Sequence, residues 1–279
     1  MNIFGIDFTS APSRKKPITC AACDLQERLL TVNDCLKFPN FDEFDAFLHS
    51  DGPWVAALDF PFGQPRKLVS NLGWPQTWEG YVQAVSSLGK TLFENTLTRY
   101  QSSRSAGDKQ HLRVTDAQAG ARSPMMLHRV PVGKMFFQGA TRLLASNVSV
   151  LPCCPTSDSR IVVEGYPALV ARRWIGKRSY KSDEQSKQTA DKLIARQHII
   201  CKLRSPELLF NYGITLELPD DSTDIFIQDP TGDSLDALLC AIQAAWVYSQ
   251  RDHNFGIPLN CNKDCLLYTS PSPRDRQKS

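Results

Sequence analysis

The sequence predicts an α/β fold: a mixed sheet, built from an antiparallel three-strand meander and parallel strands, flanked by helices. Three observations predict it. Residues 2–8, 17–23 and 29–36 are apolar, strand-like runs joined by short polar turns, the pattern of a meander. A helical pattern over 41–49 then leads to a near-continuous apolar run at 54–60, which a helical crossover makes parallel to the first strand. The run at 160–164 passes through Gly165 and Tyr166 to Pro167 and another helical pattern, so strand and helix alternate again.

In the first strand Ile3, Phe4, Ile6 and Phe8 put apolar side chains on both faces, as a strand covered on both sides requires. Asp7 interrupts that run near its end. A carboxylate there loses hydration and needs a partner. A metal ion or gathered polar groups would serve, and so would the turn amides of Thr9 and Ser10. The runs 17–23 and 29–36 are separated by a polar turn at 24–28. Phe41, Phe44, Phe47 and Leu48 recur at helical spacing behind Asn40, a candidate cap. The run Trp54–Phe60 holds Asp59 near its end, as the first strand holds Asp7, and Pro61-Phe-Gly-Gln-Pro65 breaks it.

Residues 66–158 read as a mainly helical insertion. Tyr81, Val85, Leu88 and Leu92 predict a helix over 78–100, residues 135–148 predict another, and Leu151-Pro-Cys-Cys-Pro155 is a breaker. The polar stretch 101–123 is a solvated face, or a mobile loop whose Arg113 and Arg122 meet phosphate. Arg160–Glu164 is expected as the fifth strand and is the third to end in an acid. Helices follow at 168–175, 184–202, 206–212 and 233–250, with Ser179-Tyr180-Lys181 between the first two. In the last helix Leu235, Leu238, Leu239, Ile242, Ala245 and Trp246 form the apolar stripe. Asp233 and Asp236 share a face of its first turn, where acids ordinarily cap amides and complement the helix dipole.

At 279 residues, 42% hydrophobic and 22% charged, the chain has globular composition and a large core. No apolar run approaches the ~18 residues of a membrane span, and the N-terminus lacks a signal-peptide layout, so a cytoplasmic location is expected. The nine cysteines do not make a disulfide framework. Cys20-Ala-Ala-Cys23 has metal-ligand spacing but lies in a strand without a second pair, so reduced, buried thiols are expected. Residues 265–279 resemble the in-frame translation of a transposase sequencing adaptor. They are set aside, the native C-terminus is expected to be missing, and a single domain over 1–264 is expected. The formal net charge of +3 falls to +1 without them, so basicity gives no argument for nucleic acid.

Taken together, Asp7, Asp59, Glu164 and the Asp233–Asp236 pair all fall at element ends. In α/β sheets, ligands bind beyond the carboxyl ends of the strands. Carboxylates gathered there repel, and a hard divalent cation relieves the repulsion. Two such ions can support phosphodiester hydrolysis.

Gly5-Ile-Asp-Phe-Thr9, Asp59-Phe-Pro-Phe-Gly63, Glu164-Gly-Tyr-Pro167 and Asp236-Ala-Leu238 resemble the signature segments of the DUF429 family, over about residues 2–258. Members are described as predicted nucleases of ribonuclease H-like fold. The resemblance implies that fold, with Asp7 and Asp59 as strand-borne metal ligands and Asp233 or Asp236 as the acid of the last helix. It makes Glu164 a ligand or a water-orienting group. The expected function is a Mg²⁺- or Mn²⁺-dependent phosphodiesterase acting on nucleic acid or nucleotides, with Asp7, Asp59, Glu164 and Asp236 catalytic. Thr9, Ser10, Arg113 and Lys181 are expected on substrate. Two alternatives stand beside it. One is phosphoryl transfer on an actin-like fold, with a nucleotide phosphate held by the turn 9–16. The other is a non-catalytic binding protein of the same fold.

Overall fold

A computed structural model of the chain describes residues 1–258. The adaptor-like segment 265–279 and the end of the expected 1–264 domain lie outside them. The meander forms as its pattern requires: β1 (Asn2–Asp7), β2 (Ile18–Gln26) and β3 (Leu29–Phe38) pair antiparallel in succession. Next comes α1 (Phe41–Leu48), where the Asn40 side chain accepts from the Glu43 amide and Phe44, Phe47 and Leu48 are buried. The chain then returns as β4 (Trp54–Leu58), parallel to β1 with Ile6 beside Leu58. β4 is shorter than the apolar run that predicts it. The Asp59 amide still donates to the Ile6 carbonyl, but the Phe60 amide folds back onto Leu58.

The insertion is mainly helical: α2 (Arg66–Asn71), α3 (Trp78–Ser102), α4 (Val114–Ala119) and α5 (Val132–Ser146). Gly89, at φ +73° and ψ 164°, breaks α3 midway. The chain leaves α5 through Asn147 in the left-handed region and enters a three-residue strand, β5 (Ser149–Leu151), beside β6 (Arg160–Glu164). Arg160–Glu164 is thus the sixth strand rather than the fifth, because β5 is too short to show alternation.

The remainder is helical apart from one strand. α6 (Pro167–Ile175), α7 (Ala190–Leu203) and α8 (Pro206–Tyr212) precede β7 (Thr215–Glu217), then α9 (Asp220–Gln228) and α10 (Asp233–Ser249). The helix expected from residue 184 begins at Ala190, after the extended residue Thr189. Five short elements, α2, α4, β5, β7 and α9, are not expected from the sequence.

The seven strands form one mixed sheet in the order β5-β6-β4-β1-β2-β3-β7. Helices cover both faces. α1, α2, α3 and α5 contribute to the core on one side, and α6 to α10 to the core on the other. Every residue of α10 from Ser234 to Val247 is buried, as a helix that is apolar all round must be. It lies against β1, where a Cβ on Gly5 would fall 2.0 Å from both the Ala237 oxygen and the Ala241 nitrogen. Gly165, on the same side, would meet the Cys240 sulfur at 2.9 Å.

Cys20, Cys23, Cys35, Cys154, Cys201 and Cys240 carry free thiols. Cys20 faces one core and Cys23 the other, so strand alternation defeats their metal-ligand spacing. Among the described residues, no helix is long and apolar enough to cross a membrane.

A candidate metal centre at three element ends

Asp7 ends β1 and Asp59 follows β4, the strand beside it, so the parallel register brings both acids to one end of the sheet. Their side chains face α10. Asp236, in the first turn of that helix, completes the group one residue before the close approach at Gly5. One carboxylate oxygen from each of Asp7, Asp59 and Asp236 lies within 4.8 Å of the others.

Asp7 and Asp236 are buried and Asp59 is half-buried. Among the described residues, no donor lies within hydrogen-bonding distance of the Asp7 or Asp59 carboxylate. Asp236 is better supplied. The Tyr180 hydroxyl donates to its Oδ1 at 2.6 Å, and the Lys181 ammonium pairs with its Oδ2. Burial drives the Asp7 carboxyl well above the ordinary carboxylate range; Lys181 opposes this, while Asp236, Asp233 and Asp59 add to it. Burial, reinforced by Asp236 and opposed by Lys181, pushes Asp59 up to about 7. Desolvation works against the charge on Lys181, yet Asp236 and Asp7 outweigh it and raise the ammonium's pKa.

The other expected site residues fall elsewhere. Glu164 ends β6, the next strand, but alternation turns it to the opposite face, and Gly165 takes the position beside Asp59. On that far side Glu164 is buried and accepts from Arg113 at 2.8 and 2.7 Å and from the Phe62 amide at 2.9 Å. Arg113, expected on substrate phosphate, is buried in this cluster and also pairs with Asp116 at 2.7 Å. Burial disfavours its charge, but Glu164 and Asp116 raise its pKa further than burial lowers it. Glu164 and Arg113 therefore satisfy each other, and neither belongs to the metal centre. Arg122 is exposed.

Capping at α10 also differs from expectation. Asp229 takes that role, accepting from the Ser234 and Thr231 amides at 2.9 and 3.0 Å and from the Thr231 hydroxyl at 2.6 Å. This frees Asp236 for the carboxylate group. The Asp-Pro-Thr-Gly segment before the helix carried that signal, since Asp there bonds amides two residues on. Tyr180 carried none. Asp233 is half-buried and outside the group of three. Burial raises its pKa against the pull of Lys16.

Asp233 lines a cleft of about 750 Å³ with Lys15, Lys16, Thr19 and Lys37. Thr19 is the register partner of Asp7, and Lys37 that of Thr19, so one row on the sheet runs from the acids to this cleft. Thr9 and Ser10 sit half-buried in the turn after Asp7, where the Thr9 hydroxyl accepts from the Ala11 amide at 3.5 Å.

The donor set fits a hard divalent cation, for it is all oxygen and, among the described residues, two of its carboxylates have no hydrogen-bond donor. No protein-family model, curated protein or solved structure matches the chain.

Proposed function

We propose that the chain is a divalent-metal-dependent phosphodiester hydrolase acting on nucleic acid or nucleotides. The observation that carries this reading is the convergence of Asp7, Asp59 and Asp236, each offering a carboxylate oxygen within 4.8 Å of the others at one end of the sheet. Buried carboxylates at such spacing destabilise one another unless a cation joins them. Mg²⁺ or Mn²⁺ bound there would polarise a phosphoryl oxygen and lower the pKa of a water. Asp7, Asp59 and Asp236 would hold the ion, and Tyr180 orients Asp236 through its hydroxyl. The sheet order β3-β2-β1-β4-β6, with β2 alone antiparallel to its neighbours, supports a ribonuclease H-like identity for the fold. It agrees with the resemblance to the DUF429 segments.

One observation favours a second reading. Lys15 and Lys16, in the turn between β1 and β2, line the cleft beside the acids, whose size suits a small ligand. Nucleotide binding with phosphoryl transfer would use the same acids and this cleft.

The test is thermal unfolding with and without millimolar Mn²⁺, on the wild type and on Asp7→Asn. A ligand at a hundred times its dissociation constant adds about 2.7 kcal/mol. A rise in wild type that is lost in Asp7→Asn is the expected result, followed by metal-dependent cleavage of single- or double-stranded substrates. ATP binding without cleavage would favour the second reading. No rise in either protein would remove the metal centre and leave a binding protein with a metal-free acid cluster. In that case Asp7→Asn melts at or above the wild-type temperature, because like-charge repulsion falls.

A further inference from the structure

We propose that Lys181 is the resident counter-ion of the three carboxylates and competes with a divalent cation for Asp236, so that this side chain sets how tightly the site holds metal. The inference rests on the metal reading above and concerns what regulates that same site.

Lys181 is built into position rather than resting there. A Cβ on Gly232 would lie 2.8 Å from the Lys181 Cβ and 3.0 Å from its Cδ, so the lysine stem occupies the space a side chain would fill. Gly232 is also at φ +75°, where only glycine is at ease. The backbone on either side is pinned. Arg196 donates to the Tyr180 carbonyl at 2.7 Å, and the Ser182 amide donates to the Pro230 carbonyl at 3.0 Å.

The two oxygens of Asp236 are divided between two donors. Oδ1 takes the neutral Tyr180 hydroxyl and Oδ2 takes the ammonium. A cation that draws on Oδ2 meets the ammonium already there, and two cations on one carboxylate oxygen repel. Lys181 also pulls on Asp7 and Asp59, so its charge is felt by all three acids. The lysine has somewhere to go, since its side chain is 38% exposed while Asp236 is 1% exposed. A flexible stem with an exposed head can swing to solvent when the charge it neutralises is taken by another cation.

The test uses the full chain and Mn²⁺ alone, with free Mn²⁺ read by electron paramagnetic resonance. Lys181→Met keeps the stem and removes the charge, and its Mn²⁺ dissociation constant is expected to fall tenfold or more. Lys181→Arg keeps the charge and should show no such gain. In EDTA, Lys181→Met should melt below the wild type, and the deficit should close as Mn²⁺ is added. A second measurement needs no variant: reductive methylation of Lys181, followed by mass spectrometry, should rise on the wild type when Mg²⁺ is added. Unchanged or weaker binding by Lys181→Met, or unchanged methylation on a wild type that binds metal, overturns the competition and leaves the carboxylate site standing. If neither protein binds Mn²⁺, the metal reading falls and the competition falls with it.

Discussion

Burial and the neighbouring Asp236 push the Asp59 carboxyl up to about 7, whereas an unfolded chain ionises an aspartate near 3.9. Between those values the folded state holds a proton that the unfolded chain has released. Metal-free stability therefore falls as pH rises from about 4 through 7, and the full contribution is present only below the lower value. One pKa unit is worth about 1.4 kcal/mol. With solvent screening at this half-buried group, a loss of about 2 kcal/mol is expected between pH 5 and pH 8. Urea unfolding in EDTA at both pH values measures it, and the slope should be smaller in Asp59→Asn than in the wild type, with the buried Asp7 and Glu164 keeping part of it. Metal binding should run the other way and tighten as pH rises through 7, because ligands must give up their protons.

At the scale of elements, the site depends on how closely α10 approaches β1. Gly5 allows that approach, and Asp236 sits one residue before the contact. Gly5→Ala would drive a methyl group into helix backbone, which cannot yield as a side chain can. A loss of about 3 kcal/mol or more is expected in equilibrium unfolding. The same variant should lose Mn²⁺ stabilisation although it alters no ligand, since α10 can relieve the clash only by carrying Asp236 away from Asp7. Retained Mn²⁺ stabilisation would show that the helix position does not set the site.

Across the whole molecule, Glu164, Arg113 and Asp116 form a buried ionic cluster that ties the helical insertion to the end of β6. The Phe62 amide joins it, so the segment after Asp59 is held from the far side of the sheet. Removing one member strands a buried charge. Arg113→Met is expected to cost about 3–5 kcal/mol in chemical denaturation. Below the transition it should leave the Mn²⁺ dissociation constant nearly unchanged, because the sheet lies between this cluster and the three aspartates. A large loss of Mn²⁺ affinity in a folded Arg113→Met would place Glu164 with the metal ligands after all.

Much of this architecture was legible in the sequence because its signals are local. Alternating and continuous apolar runs marked β1 to β4 and β6, and helical spacing marked α1 and α10. The Asn40 cap and Pro167 at the first turn of α6 were readable in the same way. So were Asp7 and Asp59 as strand-end acids, and their meeting followed once β1 and β4 were neighbours. Local pattern said nothing of β5 and β7, each three residues long, whose strand character comes from pairing with distant segments. Nor did it separate Glu164 from Asp7 and Asp59. All three end strands, but where β6 stops relative to β4 decides which face its last acid meets. The partnership of Arg113 with Glu164, and of Lys181 and Tyr180 with Asp236, spans 51 to 56 residues of chain. Charge alone made Arg113 and Lys181 candidates for phosphate, and nothing in the sequence singled out Tyr180. Only packing, which buries an acid and obliges a cation to neutralise it, decided where each one sits.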